Sequence, residues 1–181
     1  MSDDTGLRGA AARDSSETLS NLWDGVAGVV KGSFLFRSLD DAARRELTDR
    51  GVVMVFAAGR VILREGAPGA DFFLIDRGVV EVATTADGRA VPLATLQRGA
   101  FFGEVSMLTG MPRTATVTAL TDVSVVRFDR ADIDAILDKK PSARKLLEAM
   151  IAGRAKDTAD KVVKALSQPP SSAPEEGDEG Q

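Results

Sequence analysis

The sequence predicts a mainly β protein with flanking helices, built around an antiparallel β-barrel of the jelly-roll type. Three observations predict this fold. Apolar residues first follow helical spacing, then short β-rich runs alternate with glycine- or aspartate-bearing turns, and finally helical spacing returns. We therefore expect N-terminal helices over residues 17–50, the barrel over 51–128 and C-terminal helices over 129–166.

The first predicted helix has an apolar stripe and ends at Gly32. This stripe could pack on the rest of the domain or meet a protein partner. It consists of Leu19, Leu22, Trp23, Val26, Val29 and Val30. Further along, Asp40 is suited to cap a short helix that ends before Gly51.

Seven short runs rich in β-branched and aromatic residues follow from Val52 onward. Their even spacing favours an antiparallel barrel or jelly roll. Asp87 and Gly88 form a dipeptide that strongly favours a tight hairpin between two of these runs.

The C-terminal segment returns to helical spacing. Asp129 and Asp132 resemble a capping box at the start of one helix, and Pro141 suits the first turn of the next. Gly153 falls inside the second helical pattern, where glycine costs about 1 kcal/mol relative to alanine. The sequence therefore predicts a break or hinge at Gly153.

Polar tails lie at both ends of the chain. Residues 1–16 and 167–181 consist mainly of small, polar and charged residues, and we expect both to be disordered. The last thirteen residues carry four acids and no base, so they account for the whole formal charge of −4. The electrically balanced body argues against a nucleic-acid partner, because such a partner requires a basic surface.

The chain contains neither cysteine nor histidine. Disulfides, thiol or imidazole catalysis and the usual zinc sites are therefore excluded, and no clustered carboxylates suggest another metal site. The N-terminus has no secretory h-region, and no apolar run is long enough to span a membrane. We expect a cytoplasmic protein with no membrane segment in this chain.

Residues 101–119, FFGEVSMLTGMPRTATVTA, place two charged side chains among residues typical of a core. Glu104 and Arg113 could form a salt bridge or line a pocket for a small anion. The segment reads as a strand end, a turn and one helical turn, where Gly103 allows close approach or an unusual φ. Helix-start amides and Arg113 suit phosphate oxygens, and Glu104 suits a hydroxyl. This combination favours a sugar phosphate.

The stretch FGEVSMLTGMPRTATVTA resembles the phosphate-binding cassette of cyclic nucleotide-binding domains. AAGRVILREGAPGADFFLIDRGVVEV is similar to the glycine-punctuated strands that precede it in that family, so the resemblance covers roughly residues 34–152. The resemblance implies that Arg113 binds the cyclic phosphate and Glu104 the ribose 2′-hydroxyl. It also implies that the cassette is lined, mainly through backbone groups, by Gly103, Val105 and Ser106, with Thr114 beside phosphate and base.

The resemblance implies cAMP or cGMP as the ligand and no other cofactor. We favour cAMP, although Thr114 after the cassette arginine is also compatible with cGMP. In this family a C-terminal helix covers the base, and some members stack an arginine of that helix on the purine. Arg154 is the candidate for this role and Arg144 the runner-up; either could instead be an ordinary solvated helix charge.

We expect a sensor module and not an enzyme, which relays nucleotide binding to a protein partner by moving its C-terminal helices. The chain leaves no room after the lid for a DNA-binding module, and no catalytic residues are predicted. One alternative is the cytosolic sensor of a cyclic-nucleotide-gated channel, although Met1 and the polar N-terminus favour a free-standing module. Another is a ligand-free interaction domain. A cupin-type enzyme, the remaining alternative, would need histidine ligands for its metal.

Overall fold

The computed structural model describes residues 25–168. The expectations for residues 1–16, for Leu19 to Trp23 and for residues 169–181 lie outside this range. The helices are α1, described over residues 25–32, α2 Asp41–Arg50, α3 Glu104–Thr109, α4 Arg130–Lys139 and α5 Pro141–Leu166, with a 3-10 turn at Phe36–Ser38. The strands are β1 Val52–Phe56, β2 Val61–Leu63, β3 Phe72–Arg77, β4 Val79–Ala86, β5 Arg89–Gln97, β6 Phe101–Phe102, β7 Thr116–Ala119 and β8 Val123–Phe128.

These strands form two four-stranded antiparallel sheets, ordered β1-β8-β3-β6 and β2-β7-β4-β5. The mainly β, jelly-roll-like fold with flanking helices is therefore confirmed, but the two sheets do not close into the predicted barrel. The β-rich runs in the sequence indicate which residues are extended. Closure of a barrel depends instead on hydrogen bonds between edge strands. The edge strands β1 and β2 are joined by a short turn, and among residues 25–168 they pair only with β8 and β7, respectively.

The central strand β3 of the first sheet is buried on both faces. Phe72 and Leu74 of β3 pack in one core with the helices, while Phe73 and Ile75 pack in a second core between the two sheets. All four side chains are buried, which explains why β3 reads as a continuous apolar run. The helical core and the core between the sheets thus lie on opposite faces of the first sheet.

Two of the predicted local features are confirmed, and a third is correct only in its backbone position. Asp40 accepts a hydrogen bond from the Ala43 amide at 2.8 Å, which confirms the cap of α2. Asp87 and Gly88 have φ angles of 48° and 74° in the turn between β4 and β5, which confirms the hairpin. Asp129 lies at the N-cap of α4, but its side chain caps no amide; it lies 3.1 Å from Arg127 instead. The expected capping box is therefore wrong.

Helix α5 begins at Pro141, as predicted, and continues without a break through Gly153. The expected hinge at Gly153 is wrong. The cost of one glycine is small, and side chains on either side of it are held: Ile151 packs against the helical core and Arg154 forms an ion pair. Further along, Lys161 Nζ donates a hydrogen bond to the Leu93 carbonyl. These contacts hold α5 against the rest of the molecule. Within residues 25–168, no helix has both the length and the apolar character to cross a membrane.

Candidate functional site

A cavity of about 340 Å³ lies between the second sheet, the segment 101–119 and helix α5. The structure places every site residue predicted from the sequence along its wall. They are Gly103, Glu104, Val105, Ser106, Arg113, Thr114 and Arg154. Backbone segments far apart in sequence therefore present these groups to one enclosed space.

The backbone turns sharply at the entrance to α3. Strand β6 ends at Phe102, Gly103 takes a left-handed φ of 84° and α3 follows at once, which confirms the predicted strand, turn and helical turn. A Cβ at Gly103 would lie 2.6 Å from the Asp71 carbonyl oxygen and 2.9 Å from Arg113 Nη1. Glycine is needed at this position because both the φ angle and the available space exclude a side chain.

Arg113 is a buried cation whose hydrogen-bonding capacity is only partly used. Its side chain is 4% exposed, and its Nη1 donates to the carbonyl oxygens of Asp71 at 3.0 Å and Gly103 at 3.1 Å. Its Nε and Nη2 donate to no group within residues 25–168; the closest carboxylate oxygen, Asp71 Oδ2, is 3.7 Å from Nη2. Two donor nitrogen atoms of the guanidinium, Nε and Nη2, thus remain for an anion.

Burial lowers the pKa of Arg113, and the Asp71 and Glu104 carboxylates act in the opposite direction. Arginine remains protonated in proteins, so the guanidinium keeps its full charge in a place shielded from water. An isolated buried charge is unfavourable. An incoming anion would therefore find a cation that the protein itself has neutralised incompletely.

Glu104 pairs with Arg154 and not with Arg113. Its side chain is 4% exposed, and its Oε1 accepts a hydrogen bond from Arg154 Nη1 at 2.6 Å. The alternative of a salt bridge between Glu104 and Arg113 is therefore wrong. The second carboxylate oxygen, Oε2, accepts no hydrogen bond from the described part of the chain.

Arg154 connects α5 to the cassette through three contacts. Besides the bond to Glu104, its Nη1 donates to the Phe101 carbonyl at 3.1 Å, and its guanidinium carbon lies 4.8 Å from the centre of the Phe101 ring. Arg144, the runner-up, instead pairs with Asp134 and Asp138 of α4, at 3.5 and 2.8 Å, and does not line the cavity. Of the two candidates, only Arg154 is in position to meet a ligand.

The remaining predicted residues shape the cassette. Ser106 is buried and its Oγ donates to the Pro112 carbonyl at 3.2 Å, which holds the loop before Arg113 against α3. Val105 is half-buried and Thr114 is exposed at the cavity mouth.

Sequence reasoning missed the apolar wall and part of the α5 face. The wall consists of Leu63, Val82, Leu93, Ala94, Leu96, Phe102, Ala115 and Val117. On α5, Thr158 and Lys161 also line the cavity. Helical spacing from Arg154 could have identified them, because residues four and seven positions later lie on the same face. The contact between Asp71 and Arg113 gave no local signal, since 42 residues separate the two.

One protein family and several known proteins are similar to this chain. Residues 53–140 match the family model of the cyclic nucleotide-binding domain. A cAMP-dependent protein kinase regulatory subunit from Aspergillus fumigatus is 40% identical over 96 residues, which are 53% of this chain and 23% of that protein. A cyclic nucleotide-gated potassium channel from Mesorhizobium japonicum is 36% identical over 119 residues, 66% of this chain and 31% of the channel.

A solved structure shares the fold. The regulatory domain of Toxoplasma gondii protein kinase A, crystallised with cAMP, matches with a TM-score of 0.64 and 26% identity, over 69% of this chain and 47% of that one. The curated relatives include several kinase regulatory subunits and one gated channel. The chain spans between 23% and 32% of the length of each of these proteins.

Proposed function

Because residues 53–140 match the family model of the cyclic nucleotide-binding domain, we propose that this chain is a cytoplasmic, non-enzymatic sensor of cAMP that relays binding through helix α5. cGMP is the alternative ligand. The observation that carries this proposal is the meeting of Glu104, Arg113 and Arg154 in one cavity. The kinase regulatory subunits and the channel among its relatives support a protein partner that reads the position of the helices.

Each part of the ligand has a counterpart in the cavity. The two unused donors of Arg113 suit two oxygens of a cyclic phosphate, and the free Oε2 of Glu104 suits the ribose 2′-hydroxyl. Apolar side chains of β4 and β5, with Ile151 of α5 on the other side, offer flat contact to a purine.

The relay depends on Glu104, because this side chain serves two partners. It holds Arg154 of α5 at 2.6 Å and would also accept the ribose hydroxyl, so ligand binding changes the environment of the contact that anchors α5. A ligand shifts a conformational equilibrium only if it contacts one state better than the other. Purine contacts from Ile151 and Arg154 exist only while α5 covers the cavity, and they supply that difference.

Isothermal titration with cAMP and cGMP tests ligand binding directly. We expect saturable binding of both, with cAMP bound more tightly. If neither nucleotide binds, the proposal is contradicted and a ligand-free interaction domain is favoured.

The role of Glu104 is tested by removing its charge and the ligand's hydroxyl. Wild-type protein should bind cAMP more tightly than 2′-deoxy-cAMP, and Glu104→Gln should reduce this preference about fivefold, because a charge-assisted hydrogen bond becomes a neutral one. Competition binding with both nucleotides measures the ratio. Glu65→Gln is the matched control, since Glu65 is a partly buried carboxylate that bonds Thr84 and Thr85 outside the cavity. An equal ratio in wild type and Glu104→Gln would point to a structural role.

Helix α5 is expected to become more stable when nucleotide binds. Amide exchange over residues 141–155 should slow on adding saturating cAMP, while exchange over residues 79–82 of β4 should hardly change. Ile151→Asp should weaken cAMP binding without unfolding the protein, because Ile151 lines the cavity and is only partly buried. Val163→Asp, on an exposed face of the same helix, is the control. Identical exchange with and without bound cAMP would rule out a lid.

A further inference from the structure

A second opening lies where the two sheets separate along their edge strands β1 and β2. We call it the seam; it is a cavity of about 520 Å³ between β1, β2 and the loop that joins β2 to β3. Arg113 lines both the seam and the nucleotide cavity and thus forms part of the wall between them. Leu63 also lines both cavities, and the proposed function assigns no role to the other residues of the seam.

The wall of the seam is apolar but incompletely covered. Met54 and Phe56 of β1 and Ile62 of β2 pack against the core between the sheets, yet each stays only partly buried. Phe73 of β3 is buried behind them. In a closed barrel a neighbouring strand would cover such side chains, whereas here they face an open cavity. The seam therefore offers apolar contact area to a guest molecule.

The rim of the seam is positively charged. Its lining contains three arginines, Arg64, Arg113 and Arg127, against one carboxylate, Asp71. Arg64 is exposed and pairs with no carboxylate within residues 25–168. Arg127 is one-third exposed and lies 3.1 Å from Asp71 Oδ1 and from Asp129 Oδ1. An anionic group at this rim would meet Arg64 directly and would compete with Asp71 and Asp129 for Arg127.

We propose that the seam is a second ligand site, which binds a small amphiphilic carboxylate. The carboxylate pairs with Arg64 and Arg127, and the apolar body lies against Met54, Phe56 and Ile62. The combination of an apolar wall with a positively charged rim selects this class. A neutral apolar molecule would lack the charged contact, and a highly polar anion would leave the wall uncovered.

Asp71 couples this site to the nucleotide cavity. Its carbonyl oxygen accepts from Arg113 Nη1 at 3.0 Å, and its two carboxylate oxygens lie 3.1 Å from Arg127 Nη1 and 3.7 Å from Arg113 Nη2. A ligand carboxylate on Arg127 competes with Asp71 for that partner and frees Asp71 to approach Arg113 Nη2, a donor that a cyclic phosphate would use. The seam ligand therefore weakens nucleotide binding, and nucleotide weakens the seam ligand by the same factor.

The site is tested with octanoate, titrated into the full chain without nucleotide. We expect saturable binding of octanoate by calorimetry, and binding of 1-octanol weaker by about tenfold or more, since the alcohol forms no charged hydrogen bond. Arg127→Gln should weaken octanoate about tenfold or more for the same reason. Arg45→Gln makes the same charge change on the exposed face of α2 and should have no effect.

A filling variant tests the apolar part. Val52 lines the seam with 48% of its surface exposed, so Val52→Trp should occupy the cavity without disturbing the core and should abolish octanoate binding. Circular dichroism and thermal unfolding check that the variant folds. No octanoate binding to wild type, equal binding of octanoate and octanol, or equal effects of Arg127→Gln and Arg45→Gln would each overturn the proposal.

Coupling is measured by titrating cAMP with and without saturating octanoate. We expect octanoate to lower cAMP affinity about fivefold or more, cAMP to lower octanoate affinity equally, and Val52→Trp to remove the effect. If octanoate lowers the cAMP affinity of Val52→Trp as much as it lowers that of the wild type, octanoate enters the nucleotide cavity. That result would overturn the proposal. Absence of cAMP binding would contradict the proposed sensor function and leave the octanoate result standing.

Discussion

Replacing Arg113 with alanine is expected to lower cAMP affinity by about 30-fold to several thousand-fold, which corresponds to a loss of about 2–5 kcal/mol. The reason is the position of this side chain: it is a buried cation with two donors free for the cyclic phosphate. Arg113→Lys should restore only part of the affinity, because an ammonium lacks the planar fork. Calorimetric titration of each variant with cAMP measures both effects.

Arg113→Ala also needs a stability measurement, because it leaves the carbonyl oxygens of Asp71 and Gly103 without their hydrogen-bond donor. Denaturant unfolding of the free protein separates this loss from the loss of binding. Arg144→Ala is the matched control, since Arg144 lies on α5, forms its ion pairs with Asp134 and Asp138 of α4 and does not line the cavity. Unchanged affinity in Arg113→Ala for both cAMP and cGMP would refute the assignment of the phosphate site.

Gly103→Ala is expected to cause the second large effect. A residue with a Cβ at a φ of 84° costs about 1–2 kcal/mol, and the clash with the Asp71 carbonyl adds about 1–3 kcal/mol of overpacking. Relief of that clash would displace Arg113, so we expect cAMP affinity to fall about tenfold or more through loss of a charge-assisted hydrogen bond. Unfolding by denaturant and titration with cAMP measure the two effects.

The chain contains a close control for this substitution. Gly99 has the same φ of 84°, but a Cβ there would meet nothing within 4 Å. Gly99→Ala should therefore lose only the backbone contribution of about 1–2 kcal/mol and bind cAMP normally. Equal losses of affinity in the two variants would mean that the tight space around Gly103 does not matter for binding.

Short-range signals in the sequence predicted much of the fold. Asp40 identified the start of α2. Asp87 and Gly88 identified the hairpin between β4 and β5, and the pattern of residues 101–119 identified the turn before α3. Each signal works through neighbours a few residues away, where backbone hydrogen bonds and allowed φ angles constrain the chain. Side-chain partners were less predictable: Asp129 occupies its expected backbone position but turns to Arg127.

The sequence predicted several residues of the candidate site but not which of them form ion pairs with one another. The cassette pattern singled out Glu104 and Arg113, and the lid argument singled out Arg154; their binding roles stay predictions. The ion pair between Glu104 and Arg154 was not foreseen, because it joins residues 50 positions apart. The pattern at Gly153 even suggested that α5 would break just before Arg154, whereas contacts on both sides keep the helix continuous.

By itself the sequence determined which segments are helical or extended, which charged residues the cassette contains, and that histidine and cysteine chemistry is absent. Only the tertiary structure decided that the sheets stay open along β1 and β2, that α5 runs unbroken over the cavity, and that Asp71 lies between Arg113 and Arg127. The physical reason is the distance along the sequence between the residues that interact. Local conformation depends on neighbours within about one helical turn or hairpin, whereas closure and ion pairing depend on which distant surfaces pack together.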